Sequence, residues 1–121
     1  MSANIDDVVG SVAKNAVCLK GILASPVTGD LTSTNYRFQS TLDLFANVVH
    51  IKSLPGVKTR HKNIDVVIVR EQTEGEFSAL EHETVRGVVE CYKIVTEEKS
   101  RRIAKFAFDH AVRFGRKKVT G

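Results

Sequence analysis

Cysteine is scarce. The only two, Cys18 and Cys91, lie far apart and belong to no CxxC or Cys/His spacing, which argues against a zinc site or a disulfide framework. A reducing compartment is the default expectation. Glycine clusters are missing as well: the eight glycines stand singly and form neither GxGxxG nor GxxxxGK followed by Ser or Thr, so no loop of clustered amides offers a nucleotide cradle. Long apolar runs are absent, the Val66 to Val69 stretch being typical, and none approaches the roughly 20 residues of a membrane-crossing helix. A water-soluble chain is expected. Charge of one sign is also limited, with 18 Lys and Arg against 14 Asp and Glu giving +4 at pH 7. That excess attracts anions but does not by itself argue for nucleic acid, and much of it sits in Arg113, Arg116, Lys117 and Lys118. Met1 to Asp7 holds two aspartates, no arginine and no following apolar stretch, so neither a secretory signal nor a transit peptide is readable. A mature form or a fragment is the expectation.

What is present fits one ordinary domain: 121 residues, 42% hydrophobic and 26% charged, which excludes disorder throughout. Asn4 to Asn15 starts with a capping asparagine and two aspartates and reads as a short helix. Ala16 to Leu19 reads as a strand leading into the loop Ser25 to Asp30. From Ser33 or Thr34, helical spacing of Phe38, Leu42 and Phe45 predicts a helix to about Asn47. Val48 to Ile51 and Ile64 to Val69 are β-branched runs of the kind covered on both faces, joined by the basic connection Val57 to Asn63. Glu71 to Glu76 is too polar for regular structure, and Val85 to Thr96 favours an extended chain. The clearest helix starts at the cap Thr96, carries Glu97–Arg101 and Glu98–Arg102 pairs, and ends before Gly115. Its stripe is Ile103, Phe106, Ala107, His110, Ala111 and Phe114. Lys118 to Gly121 reads as the first residues of another strand. Strands alternating with helices imply the α/β class with a largely parallel sheet flanked by helices.

Candidate chemistry is sparse. Glu81-His82-Glu83 reads as an exposed polar stretch rather than a metal site, because in a strand the histidine points away from both glutamates. Cys91 lies in an apolar run and reads as buried and inert. Lys99, Arg101, Arg102 and Lys105 read as a solvated helix face without interleaved aromatics. Arg70 is the informative cation: it ends a strand, where ligands tend to bind in α/β sheets, and a guanidinium there can grip a carboxylate bidentately. Equally, Arg70 can simply pair with Glu71, Glu74 or Glu76. Both readings stand on the residues alone.

Four blocks carry a resemblance: LDLFANVVHIKSLPG (42–56), IDVVIVREQTEGEFSALEHE (64–83), RGVVECYKIVTEEKSRRIAKFAFDHA (86–111) and RKKVTG (116–121). Together they resemble the isocitrate and isopropylmalate dehydrogenase family over about 17–121, and within it the NAD-dependent mitochondrial enzymes, with the non-catalytic beta type of subunit nearest and gamma a close second. The resemblance implies that 1–121 is one partial domain of that fold, with a small clasp-type β segment at about 84–96 where subunits pair. It implies a pocket remnant of Arg70, Ser33 and Asn35, with Gln39 and Val49 standing where the family has arginines and Phe77 where it has a tyrosine. It further implies a subunit without catalytic residues of its own. That subunit supports alpha-type and gamma-type partners in the oxidative decarboxylation of isocitrate to 2-oxoglutarate in the mitochondrial matrix, with no nucleic acid and no membrane as partners. NAD and Mg²⁺ or Mn²⁺ belong to the assembled enzyme, none being bound by this stretch, since the family's proton-transfer lysine, metal-holding aspartates and NAD-binding segment fall beyond Gly121. A catalytic 2-hydroxy acid dehydrogenase of the same family, and a basic module for an acidic partner, are the alternatives.

Overall fold

A computed structural model describes residues 4–22, 34–78 and 80–121, and these fall into two units, Met1–Phe45 and Ala46–Gly121. The Ser25 to Asp30 loop and Ser33 lie outside the described residues.

In the first unit, helix α1 spans Ile5–Asn15. The Asn4 side chain accepts the Asp6 amide at 3.3 Å, and Asp6 and Asp7 occupy the positive end of the helix. Ala16 ends the helix in the left-handed region and donates its amide to the Val12 carbonyl at 2.8 Å. The strand expected over Ala16 to Leu19 does not form; 17–22 is irregular and exposed, and the described residues of the first unit hold no other strand to supply a ladder. Helix α2 spans Thr34–Thr41 and packs against α1, with Phe38 buried. It stops well short of Asn47. The Ser40 and Thr41 hydroxyls donate to the Arg37 carbonyl, Asp43 turns left-handed, and the Leu44 amide closes on the Gln39 carbonyl at 2.9 Å.

The second unit is built on strands β1 (Ala46–Lys52) and β2 (Asp65–Glu71). They pair antiparallel from Ala46 opposite Glu71 to Lys52 opposite Asp65. Among the described residues no strand pair is parallel, so the expected parallel sheet is not seen. The reason is the connection: 53–64 holds no helix, and a chain returning without a crossover element can only run back alongside itself. Nor are both faces covered. Val67 and Val69 are half-buried on the face toward helix α3 (Glu97–Arg113), whereas Val49, Ile51, Val66 and Ile68 on the other face are exposed.

Strands β3 (Glu81–Val85) and β4 (Val88–Cys91) form a separate hairpin with a bulge between Glu83 and Val85. The extended region therefore begins earlier than Val85, turns at Arg86-Gly87 and gives way to irregular chain over 92–96. All of its residues are exposed, Cys91 included, which corrects the reading of that thiol as buried. Helix α3 has the expected limits. Its cap Thr96 accepts the Lys99 amide, Arg101 donates to Glu97 at 2.6 Å, and Gly115 at φ +63° lets the Arg116 amide reach back to the Ala111 carbonyl at 2.8 Å. Ala111 is the buried residue of its stripe. Beyond it, 116–121 is irregular rather than strand.

Candidate functional site

The segment from the end of β2 to the start of α3 holds the greatest density of charged side chains with defined partners. Glu71 folds back over its own turn: its carboxylate accepts the Thr73 amide at 2.9 Å, the Thr73 hydroxyl at 2.5 Å and the Glu74 amide at 2.9 Å. Partial burial pushes its pKa up, yet these hydrogen bonds and the nearby Lys99 more than offset that and leave it below the ordinary value. Glu74 reaches across the chain, accepting the Thr96 amide and hydroxyl, both at 2.8 Å. The Gly75 amide donates to the Ile94 carbonyl at 2.9 Å, and Lys93 lies 3.6 Å from Glu76. The polar turn thus fastens the N-terminus of α3 to the end of β2. A short 3-10 turn, Gly75–Ser78, follows and places Phe77 on a cleft of about 230 Å³ shared with Glu71, Lys93 and Lys99.

Arg70 takes no part in this. Among the described residues it makes no ion pair, and Glu71, Glu74 and Glu76 are engaged by Thr73, Thr96 and Lys93 instead, so the simple pairing reading does not hold. Its position is set by the ladder. Arg70 lies opposite Asn47, and because side chains alternate, it shares a face with Asn47, Val49, Ile68 and Val66. Val49 is its diagonal neighbour across the ribbon, a separation of about 7–8 Å that a long side chain spans. Asn35 and Gln39 belong to the first unit, four positions apart on α2; Asn35 Oδ1 accepts from the Lys20 ammonium at 3.0 Å. Ser33 lies outside the described residues.

Among the described residues no three His, Cys, Asp or Glu side chains converge as a metal site. Glu71 and Glu74 accept local amides and hydroxyls, and the glycines form no phosphate-binding loop. Among the described residues, then, no set of side chains is arranged to hold a divalent cation. His82 of the Glu81-His82-Glu83 triplet lies 3.3 Å from Glu90 across the hairpin and stacks on Tyr92. The Cys91 thiol is pushed up, first by desolvation and then by its contact with Glu81, which disfavours the reactive thiolate.

One cluster escapes sequence reasoning. His50 Nε2 and the Arg116 guanidinium meet Asp65 Oδ1 at 2.8 and 2.7 Å, and Arg116 also reaches His50 Nε2 at 3.2 Å. Asp65 is held below the ordinary carboxylate value, first by its bond to His50 and then by Arg116. The cluster straps the chain after α3 to the β1–β2 ribbon. Its members are 15 and 51 positions apart, and only the ladder register combined with the return of α3 brings them together.

Comparison with known proteins gives a concordant result. Residues 5–121 match the family described as isocitrate/isopropylmalate dehydrogenase. The beta subunit of mitochondrial NAD isocitrate dehydrogenase from Bos taurus is 58% identical over 118 residues, which is 96% of this chain and 31% of that protein. Regulatory subunit 1 of the mitochondrial enzyme from Arabidopsis thaliana is 52% identical over 120 residues, 99% of this chain and 33% of the relative. The chain thus spans about a third of the length of these curated relatives. Among solved structures, isocitrate dehydrogenase from Methylococcus capsulatus superposes with a TM-score of 0.82 at 37% identity, covering 93% of this chain and 34% of that one. The TT0538 protein from Thermus thermophilus gives 0.78 at 31% identity, with 88% and 22% covered.

Proposed function

Because this chain belongs to the isocitrate/isopropylmalate dehydrogenase family, we propose that it is part of a non-catalytic, beta-type subunit of a mitochondrial NAD-dependent isocitrate dehydrogenase. Alpha-type and gamma-type partners, in the matrix, then carry out the oxidation of isocitrate to 2-oxoglutarate in the tricarboxylic acid cycle. The identity to beta and regulatory subunits supports the subunit type.

The observation that carries the non-catalytic reading is the pairing of Arg70 with Val49 on one ribbon face. A tricarboxylate is held by several cations at once, and two guanidiniums at these diagonal positions would grip it together. With valine at 49 a single cation remains on that face. Phe77 lacks the hydroxyl that could give or take a proton at the reacting carbon. On this reading Arg70 is the cation that remains on the ribbon face, and alone it binds an anion weakly or not at all. NAD and the divalent metal would be held by the catalytic partners, and the metal would supply Lewis-acid chemistry there.

The finer fold follows from the same membership. The stretch 116–121, whose Val119 and Thr120 line a cleft of about 450 Å³ with Val67 and Val69 of β2, continues as a strand parallel to β2 in a larger sheet. The exposed hairpin β3–β4, the clasp-type segment, pairs by its open edge with a partner subunit.

The test is a substitution series in the complete subunit assembled with catalytic partners. Val49→Arg and Val49→Arg with Phe77→Tyr are assayed for NADH formation in complexes whose catalytic subunits have been inactivated. The proposal expects background rates from both; isocitrate-dependent turnover by Val49→Arg alone contradicts it.

A further inference from the structure

Four cations elsewhere in the second unit have carboxylate partners: Lys93 meets Glu76, Arg101 meets Glu97, Lys105 meets Asp109 and Arg116 meets Asp65. The connection between β1 and β2 groups several cations with no carboxylate in its own sequence. From residue 44 to residue 64 there is no aspartate or glutamate, while Lys52, Lys58, Arg60 and Lys62, with His61 among them, are all exposed. Among the described residues none of the five makes an ion pair.

This loop is held in shape. Its neck is closed by two hydrogen bonds, the Ser53 amide to the Ile64 carbonyl and the Ile64 amide to the Ser53 hydroxyl, both 2.8 Å. Gly56 at φ +80° forms the turn after Pro55, and the Thr59 hydroxyl donates to the His61 carbonyl at 2.6 Å. Two concave surfaces result. One, about 570 Å³, is lined by Leu54, Val57, Lys58 and Lys62; the other, about 330 Å³, by Lys52, Arg60 and His61. Leu54 and Val57 are 69% and 57% exposed between these cations.

Like charges held together without counter-charges raise the local potential and gain nothing for the isolated fold. Apolar side chains set among unpaired cations are the complement of a peptide that carries carboxylates beside aliphatic residues. We propose that the 53–64 loop is a docking surface for an acidic, partly apolar segment of a partner protein. Carboxylates of that segment sit on Lys58, Arg60 and Lys62, and an aliphatic side chain on Leu54 and Val57. Nucleic acid fits less well, because the loop has no aromatic side chain of the Phe, Tyr or Trp kind on which a base could stack.

The test uses the full chain and a fluorescein-labelled peptide of about twelve residues in which glutamates flank two leucines, read by anisotropy across a salt series. Matched probes carry glutamine for glutamate, or are a single-stranded oligonucleotide of equal length. The glutamate peptide binds, weakens as salt rises, and loses roughly tenfold or more in affinity with Lys58→Glu, Arg60→Glu and Lys62→Glu combined. Leu54→Ser reduces affinity several-fold with the salt dependence unchanged, and Lys105→Glu, on α3, has no effect. Equal binding of the glutamine peptide to the unaltered chain overturns the proposal, as does full affinity in the triple variant. Tighter binding of the oligonucleotide than of the glutamate peptide also overturns it, in favour of a nucleic-acid surface.

Discussion

At the scale of single residues, carboxylates that look alike in sequence have different work. Glu71 and Asp65 are both held below their ordinary pKa by bonds made only in the folded chain. A depressed folded-state pKa contributes stability in full above the unfolded value, about pH 4, and loses it as pH falls below that value. Urea midpoints at about pH 7 and about pH 3.5 should therefore differ less in Asp65→Asn than in the unaltered protein. Glu74 serves α3 rather than a ligand. Glu74→Ala removes the acceptor of the Thr96 amide and hydroxyl and should cost about 1 kcal/mol, read by thermal melting. Of the proposed pocket residues, Arg70 has a strand-end position that is legible in the sequence. Val49, Gln39 and Phe77 gained meaning only from family resemblance, because a valine, a glutamine or a phenylalanine is unremarkable until one knows what a pocket there requires. The His50–Asp65–Arg116 strap left no local trace, since its spacing depends on ladder register.

At the scale of elements, ends marked by capping chemistry were readable and interiors marked by apolarity alone were not. Asn4, Thr96 and Gly115 place the limits of α1 and α3 because each satisfies orphan amides or carbonyls locally. The end of α2 was missed because Ser40 and Thr41 bond back to the Arg37 carbonyl while Phe45 keeps a helical spacing that the chain does not use. The apolar segment Ala16 to Leu19 has strand-like composition, yet composition cannot supply a neighbour. Strand direction was equally hidden, for an apolar run pairs either way and the length and content of the connection decide. Gly115→Ala offers a clean check: the glycine is left-handed and a Cβ there meets no atom within 4 Å, so the cost is conformational, about 1 kcal/mol, and shows in the melt without a packing contribution.

At the scale of the whole molecule, Phe38 and Ala111 are the buried hydrophobic residues among those described, while one face of the β1–β2 ribbon and the entire β3–β4 hairpin are exposed. The chain spans about a third of its curated relatives' length, and an exposed apolar face and an open hairpin edge of this kind favour association. The 121 residues alone should associate in a concentration-dependent way on size exclusion, and Val89→Lys in the hairpin should reduce that association. The central claim concerns charge: a face that would hold a tricarboxylate keeps Arg70 and has valine beside it. Its most direct test is titration of isocitrate into the complete subunit without catalytic partners, followed by NADH absorbance after NAD and Mg²⁺ are added. Weak or absent binding and no NADH are expected; stoichiometric binding with isocitrate-dependent NADH formation by the lone subunit would contradict it.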